Sequence, residues 1–198
     1  MDDRDGDLWK SCMNLINNFR DLLLGHRAIG VVEDRLHTLP FVVIAYDTLE
    51  DEDVRRGGGV ALNAMRYAAA RELFEETAIS LGDPVDLEKL VWTGRWITPE
   101  GLPKRFDTYF FLACTGRDTT TKLQQSEAVD STWISPADAV QRHVAGDFPL
   151  LFPTLKNLEA LVGFKSSGEL IESRRKAEIP TTRPIIVEEN GQKKIVLP

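Results

Sequence analysis

Cysteine is scarce in this 198-residue chain: Cys12 and Cys114 lie far apart, with no CxxC pair between them. That excludes a disulfide framework or a thiolate metal knuckle, and each cysteine is read as a small apolar residue. The three histidines, His26, His37 and His143, are scattered without metal-ligand spacing, so they are assigned no chemistry. Long hydrophobic runs are missing as well. The longest, Phe41 to Tyr46 and Phe110 to Cys114, fall far short of the roughly 20 residues that span a bilayer. An excess of basic residues is also lacking, since 24 Lys+Arg face 31 Asp+Glu for a formal charge of -7. This disfavours nonspecific binding to a nucleic acid polymer or an anionic membrane. The acidic start, Met1-Asp2-Asp3-Arg4-Asp5, carries no secretory pattern, and a cytoplasmic location is the expectation by default. No internal repeat and no low-complexity tract is present.

What remains is the composition of a folded, soluble protein, 42% hydrophobic and 28% charged. Residues 11–27 read as a hairpin turning at Asn17-Asn18, with an amphipathic helix over 9–24 as the rival reading. Phe41 to Tyr46 reads as a short buried strand, and 47–56 as an exposed loop ending in Gly57-Gly58-Gly59. Leu87 to Trp96 and Phe106 to Cys114 are rich in aromatic and β-branched residues and read as strands. Val129 to Ile134 reads as another. Ser135 before Pro136 predicts a helix start, with serine as N-cap and proline at the first helical position, running to about Ala145. A further helix is expected after Pro153, through Leu161. Residues 165–183 are polar and read as a linker. Ile185 to Glu188 and Lys194 to Leu197 flank Asn190-Gly191, a strong hairpin signal. Strands and helices mix without βαβ alternation, which predicts an α+β fold or a mixed sheet between helices.

The most informative stretch is Arg71-Glu72-Leu73-Phe74-Glu75-Glu76-Thr77-Ala78-Ile79. It closes a helix predicted over 61–77, where Leu62, Met65, Ala69 and Leu73 form an apolar stripe and alanine is frequent. Glu72, Glu75 and Glu76, at i, i+3 and i+4, are expected off that stripe and within reach of a common point. On a bare helix Glu72 and Glu76 repel by roughly 0.2–0.5 kcal/mol, and acidic groups in a last turn oppose the helix dipole. A divalent cation between them converts that repulsion into binding, and hard oxygen ligands suit Mg²⁺ or Mn²⁺. A solvated helix face is the plainer reading of the same three residues.

This stretch resembles the Nudix hydrolase signature, G-x5-E-x7-R-E-U-x-E-E-x-G-U with U aliphatic. Arg71 to Glu76 fill its second half and Ile79 its last aliphatic slot. Gly57 falls in the leading glycine slot, Asn63 in the first glutamate slot and Ala78 in the closing glycine slot. In the register of a branch with a long insert, Ala45-Tyr46 replace the usual glycine pair after the strand at 41–44. Trp96-Ile97-Thr98-Pro99 and Arg105-Phe106-Asp107-Thr108-Tyr109-Phe110-Phe111 are similar to W-x-T-P and R-F-D-T-x-F-F elements of that branch, some members of which cleave coenzyme A or its esters. Leu22 to Arg27 is similar to an early family strand. Trp133 to Asp138 is similar to a strand-to-helix passage that follows a late acidic residue, here Glu127.

The resemblance covers about residues 11–163. It implies a mixed β-sheet sandwiched between helices over 1–163, with 164–198 as linker and hairpin extension. It implies a metal-dependent pyrophosphohydrolase in which water attacks a diphosphate linkage of a nucleoside diphosphate joined to another group. Glu75 and Glu76 would ligate Mg²⁺ or Mn²⁺, Glu72 would add a contact or help activate water, and Glu127 would be a further ligand or base. Arg71 would pair with Glu75. Arg95 and Arg105 would meet substrate phosphates, or else be ordinary strand-end charges. Trp92, Trp96 and Trp133 are read as core. The alternative is a catalytically weak or inactive Nudix-fold binding or scaffold module, because Tyr46 would block a backbone approach that glycine permits. The expected partner is a small phosphoanhydride. The C-terminal hairpin either caps the domain edge or pairs with a second copy.

Overall fold

Alternation along one strand sets the architecture. The computed structural model describes residues 30–32, 41–49, 62–102, 105–116, 119–120, 122 and 132–198. Strand β4, Phe106–Cys114, carries the run Phe110 to Ala113, all buried. A strand points successive side chains to opposite faces, so such a run needs cover on both sides. Phe111 and Ala113 join a cluster with Met65, Ala69, Ala70 and Leu73 of helix α1, Leu62–Thr77. Phe110 and Leu112 join a second cluster with Ala139 of α2, Pro136–Ala145, Leu158 of α3, Phe152–Glu159, and Leu170 of α4, Ser167–Lys176. The sheet is sandwiched between α1 and the three later helices, as the α+β reading predicts.

The main sheet runs β1-β2-β4-β3-β5, with β1 at Gly30–Val32, β2 at Phe41–Leu49, β3 at Val91–Ile97 and β5 at Thr181–Thr182. All neighbours are antiparallel except β5, which lies parallel to β3. Strands β6, Ile185–Glu189, and β7, Gln192–Val196, form a separate two-stranded sheet. Asn190 (φ 54°) and Gly191 (φ 75°) supply its turn, the two positive φ values that a tight hairpin needs and that Asn-Gly accepts.

Several expectations are corrected. The strand expected over Leu87 to Trp96 begins only at Val91. Residues Leu87–Lys89 are a 3₁₀ turn, started by the Asp86 carboxylate accepting the Glu88 N–H at 3.1 Å. Of the expected strand at Val129 to Ile134 only 132–134 are described, with an isolated bridge at Trp133. The segment 165–183 is no linker. It holds α4 and β5, and Leu170, 2% exposed, sits in the second cluster. The missed signal is a Ser-x-x-Glu helix start: Ser166 Oγ accepts the Glu169 N–H at 3.1 Å, and Glu169 reaches back to the Lys165 N–H. Strand β2 also runs on through Leu49, so 47–49 are not loop. The expected hairpin at 11–27, the strand at Leu22 to Arg27 and Gly57 to Gly59 lie outside the described residues.

Ala45 and Tyr46 matter more. They pair with Phe110 and Tyr109 of β4 in an unbroken antiparallel ladder. They belong to the body of β2 and do not stand in a loop where glycines would be needed.

Candidate metal and phosphate site

Helix α1 presents its glutamates in three different environments. The apolar stripe at Met65, Ala69 and Leu73 continues at i+3 to Glu76, so Glu76 is carried into the buried face and is 4% exposed. The expectation that all three glutamates lie off the stripe is therefore corrected for Glu76. Glu72, one turn earlier, is half-buried. Glu75 points outward, its side chain 52% exposed. Arg71 lies beside both outer carboxylates, with Nη2 at 2.9 Å from Glu72 and Nε at 3.8 Å from Glu75. The Arg71–Glu75 pairing is present, yet the closer contact is to Glu72.

The common point is not formed. Among the described residues, no three His, Cys, Asp or Glu side chains are grouped as metal ligands. The physical reason is that α1 turns Glu75 outward toward Arg71 while Glu76 turns inward. The donor set still fits a hard cation. Mg²⁺ keeps several waters and commonly takes only one or two protein carboxylates together with substrate phosphates. Glu72 and Glu76, at i and i+4, supply two on one side of the helix. Glu127 lies outside the described residues.

The end of α1 is held firmly. Thr77 Oγ1 donates to Leu73 O at 2.6 Å and accepts the Ile79 N–H at 3.2 Å. Thr77 O accepts the Lys122 N–H at 2.9 Å. Ala78 then adopts the left-handed conformation, φ 60°, in the slot where the family signature has glycine. The glutamates thus sit on a helix whose last turn cannot easily unwind.

The two arginines have acquired partners of unequal kind. Arg95 lies opposite Tyr109 across the β3–β4 ladder. Its Nε donates to Asp107 Oδ1 at 2.8 Å and its Nη2 donates to Asp107 Oδ2, a two-pronged fork onto a carboxylate that is 1% exposed. The fork holds the guanidinium pKa above its ordinary value, against the opposing effect of partial burial. The Arg95 Cζ also stands 5.2 Å from the Tyr109 ring centroid. Arg105 Nε donates to Thr98 O at 3.1 Å, and Thr98 Oγ1 accepts the Phe106 N–H, so Arg105 helps close the mouth of the β3–β4 hairpin.

The sequence reading gave Asp107 and Tyr109 no role. The available signal was the hairpin register, which sets 95 opposite 109 and beside 107 once β3 and β4 are paired. Trp96 is buried in the second cluster, while Trp92 and Trp133 pack, partly buried, against the first. All three serve the core. His143 has a structural task, its Nδ1 accepting the Leu150 N–H at 2.9 Å. Cys114 is a free thiol packed against the second cluster. Among the described residues, no helix is long and apolar enough to cross a membrane.

The family match found by comparison with known proteins spans this helix. The NUDIX domain family matches residues 11–152, more than half of the chain. Acyl-coenzyme A diphosphatase NUDT19 of Homo sapiens is 31% identical to the chain over an aligned stretch covering 38% of the chain and 20% of that protein. The putative nudix hydrolase 7 of Caenorhabditis elegans is 26% identical over 48% of the chain and 43% of that protein. The chain thus spans less than half the length of these curated relatives. No solved structure matches it. The extent of the domain match establishes that the chain belongs to the Nudix family.

Proposed function

We propose that the chain is a divalent-metal-dependent pyrophosphohydrolase that cleaves the diphosphate linkage of a nucleoside diphosphate joined to another group. One observation carries this reading: the family's Arg-Glu-Leu-Phe-Glu-Glu segment forms a helix that buries Glu76 and half-buries Glu72 on one side. A carboxylate that continues an apolar stripe into the core is costly to bury, and a cation held beside it is one way to offset that cost.

Glu72 and Glu76 would hold Mg²⁺ or Mn²⁺, with Glu75 and Glu127 as further ligands or, for Glu127, a base. The bound cation would offset negative charge on the phosphoryl oxygens as the linkage breaks. Arg71 orients Glu72 and Glu75. Arg95, locked by Asp107, offers a fixed cationic edge to a substrate phosphate. A pre-set donor of that kind needs no reorganisation when charge develops. Arg105 stands close by in sequence to the same strand end and would assist the leaving group. A coenzyme A derivative is the first substrate class to assay, because the human relative bears the name of an acyl-coenzyme A diphosphatase.

The rival reading, a catalytically weak or inactive binding or scaffold module, rested on Tyr46 obstructing a loop. Tyr46 lies inside β2, paired with Tyr109, and that objection loses its footing. The test is direct. Glu76→Gln should lower Mg²⁺-dependent turnover of a coenzyme A ester by about 100-fold or more, with the melting temperature retained. Excess EDTA should abolish turnover of the unaltered protein. Undiminished hydrolysis in either case rules the proposal out.

A further inference from the structure

Beside the glutamate helix, the inner face of the β3–β4 ladder carries a row of side chains with hydrogen-bond donors left over. Arg95 has five N–H groups and spends two of them on Asp107. Among the described residues, no group accepts from Arg95 Nη1, and none bonds to the Tyr109 hydroxyl. Both side chains are only partly buried, and that of Arg95 is 27% exposed. The row is stiff. The Tyr109 ring stacks on Trp92 with centroids 6.1 Å apart and 27° between planes, and the Arg95 guanidinium lies against it. Tyr109 and Trp92 both pack on the cluster that contains Met65, Ala69 and Leu73 of α1, which places the row on the side of the sheet that faces the glutamates' helix.

We propose that the Tyr109 hydroxyl and Arg95 Nη1 form a two-donor receptor for an anionic phosphate oxygen of a nucleoside diphosphate, with Tyr109 as a substrate-contacting residue that sets affinity. Each member of the row has a part. Asp107 holds the arginine through Nε and Nη2, Trp92 holds the tyrosine ring, and neither contact uses Arg95 Nη1 or the Tyr109 hydroxyl. One is cationic and one neutral, a combination that favours an anion over a neutral acceptor. Burial, with the Asp107 carboxylate adding to it, raises the Tyr109 phenol above its ordinary 10.0. The hydroxyl therefore stays a donor at any working pH.

The inference rests on the hydrolase reading for its substrate class, but its test does not need catalysis. Full-length protein is titrated with ADP in EDTA by calorimetry, so that metal contributes nothing. Tyr109→Phe keeps the ring, its stack on Trp92 and the arginine contact, and removes only the hydroxyl. Its melting temperature should match that of the unaltered protein. ADP affinity should fall about tenfold, the loss expected when one hydrogen bond to a charged group is deleted. In turnover assays with Mg²⁺, KM should rise by a similar factor while kcat stays within about twofold. Unchanged ADP affinity in Tyr109→Phe, or no ADP binding by the unaltered protein, overturns the receptor. Hydrolysis judged separately with Mg²⁺ tells that failure apart from failure of the hydrolase reading.

Discussion

At Ala78 the backbone turns left-handed, φ 60°, immediately after α1, with its N–H donating to Phe74 O at 2.8 Å. An L-residue with a Cβ carries a cost of roughly 1–2 kcal/mol in that conformation. Glycine does not, although it loses more freedom on folding. Ala78→Gly should therefore raise stability by about 1 kcal/mol, read as a higher urea midpoint with an unchanged slope. Turnover should not change, since the side chain is exposed beyond the helix. A lower midpoint would show that Ala78 packs in a way the backbone angle does not reveal. At this scale the sequence was partly readable. The resemblance placed Ala78 in a glycine slot and so foretold the angle. It did not foretell that Glu76 is buried, because the stripe was traced through Leu62, Met65, Ala69 and Leu73 and stopped there. The next i+3 step lands on Glu76, and a carboxylate is not what an apolar stripe leads one to expect.

Among the elements, α4 is the one whose character changed most between sequence and structure. Polar residues dominate its length, and only Leu170 and Ile171 face the second cluster. Removing the Leu170 side chain should leave a cavity between α4 and the sheet and cost about 3 kcal/mol. A spacer would tolerate Leu170→Ala with no shift in urea denaturation, so the measurement separates the two descriptions. Elements announced by strong local chemistry were legible. Ser135-Pro136 fixed the start of α2, and Ser135 Oγ accepts the Asp138 N–H at 3.0 Å. Asn190-Gly191 fixed the last hairpin, and the aromatic run of β4 gave its bounds of Phe106–Cys114. Elements that depend on tertiary cover were not legible. The ten residues of α4 show a narrow apolar face that only the sheet beneath makes meaningful, and β5 is too short to signal by itself.

For the whole molecule, the two apolar clusters and the β6–β7 hairpin are separate constructions. Neither cluster includes a residue of the hairpin, and a lone two-stranded sheet contributes little stability of its own. Truncation after Pro184 should leave the melting temperature within a few degrees of the full chain and preserve turnover. Truncation after Ala177 also removes β5 and uncovers the β3 edge at Arg95 and Trp96. That shorter chain should aggregate on concentration, as unpaired strand edges do, and light scattering would show it. Equal behaviour of the two truncations would mean that β5 protects nothing. The parallel pairing of β5 with β3 has one further consequence, for synthesis on the ribosome. Thr181 and Thr182 close a ladder whose other rail, Arg95 and Trp96, has emerged far earlier. Until Thr181 and Thr182 leave the exit tunnel, the nascent sheet keeps one border open, and that border includes the arginine proposed to greet the substrate.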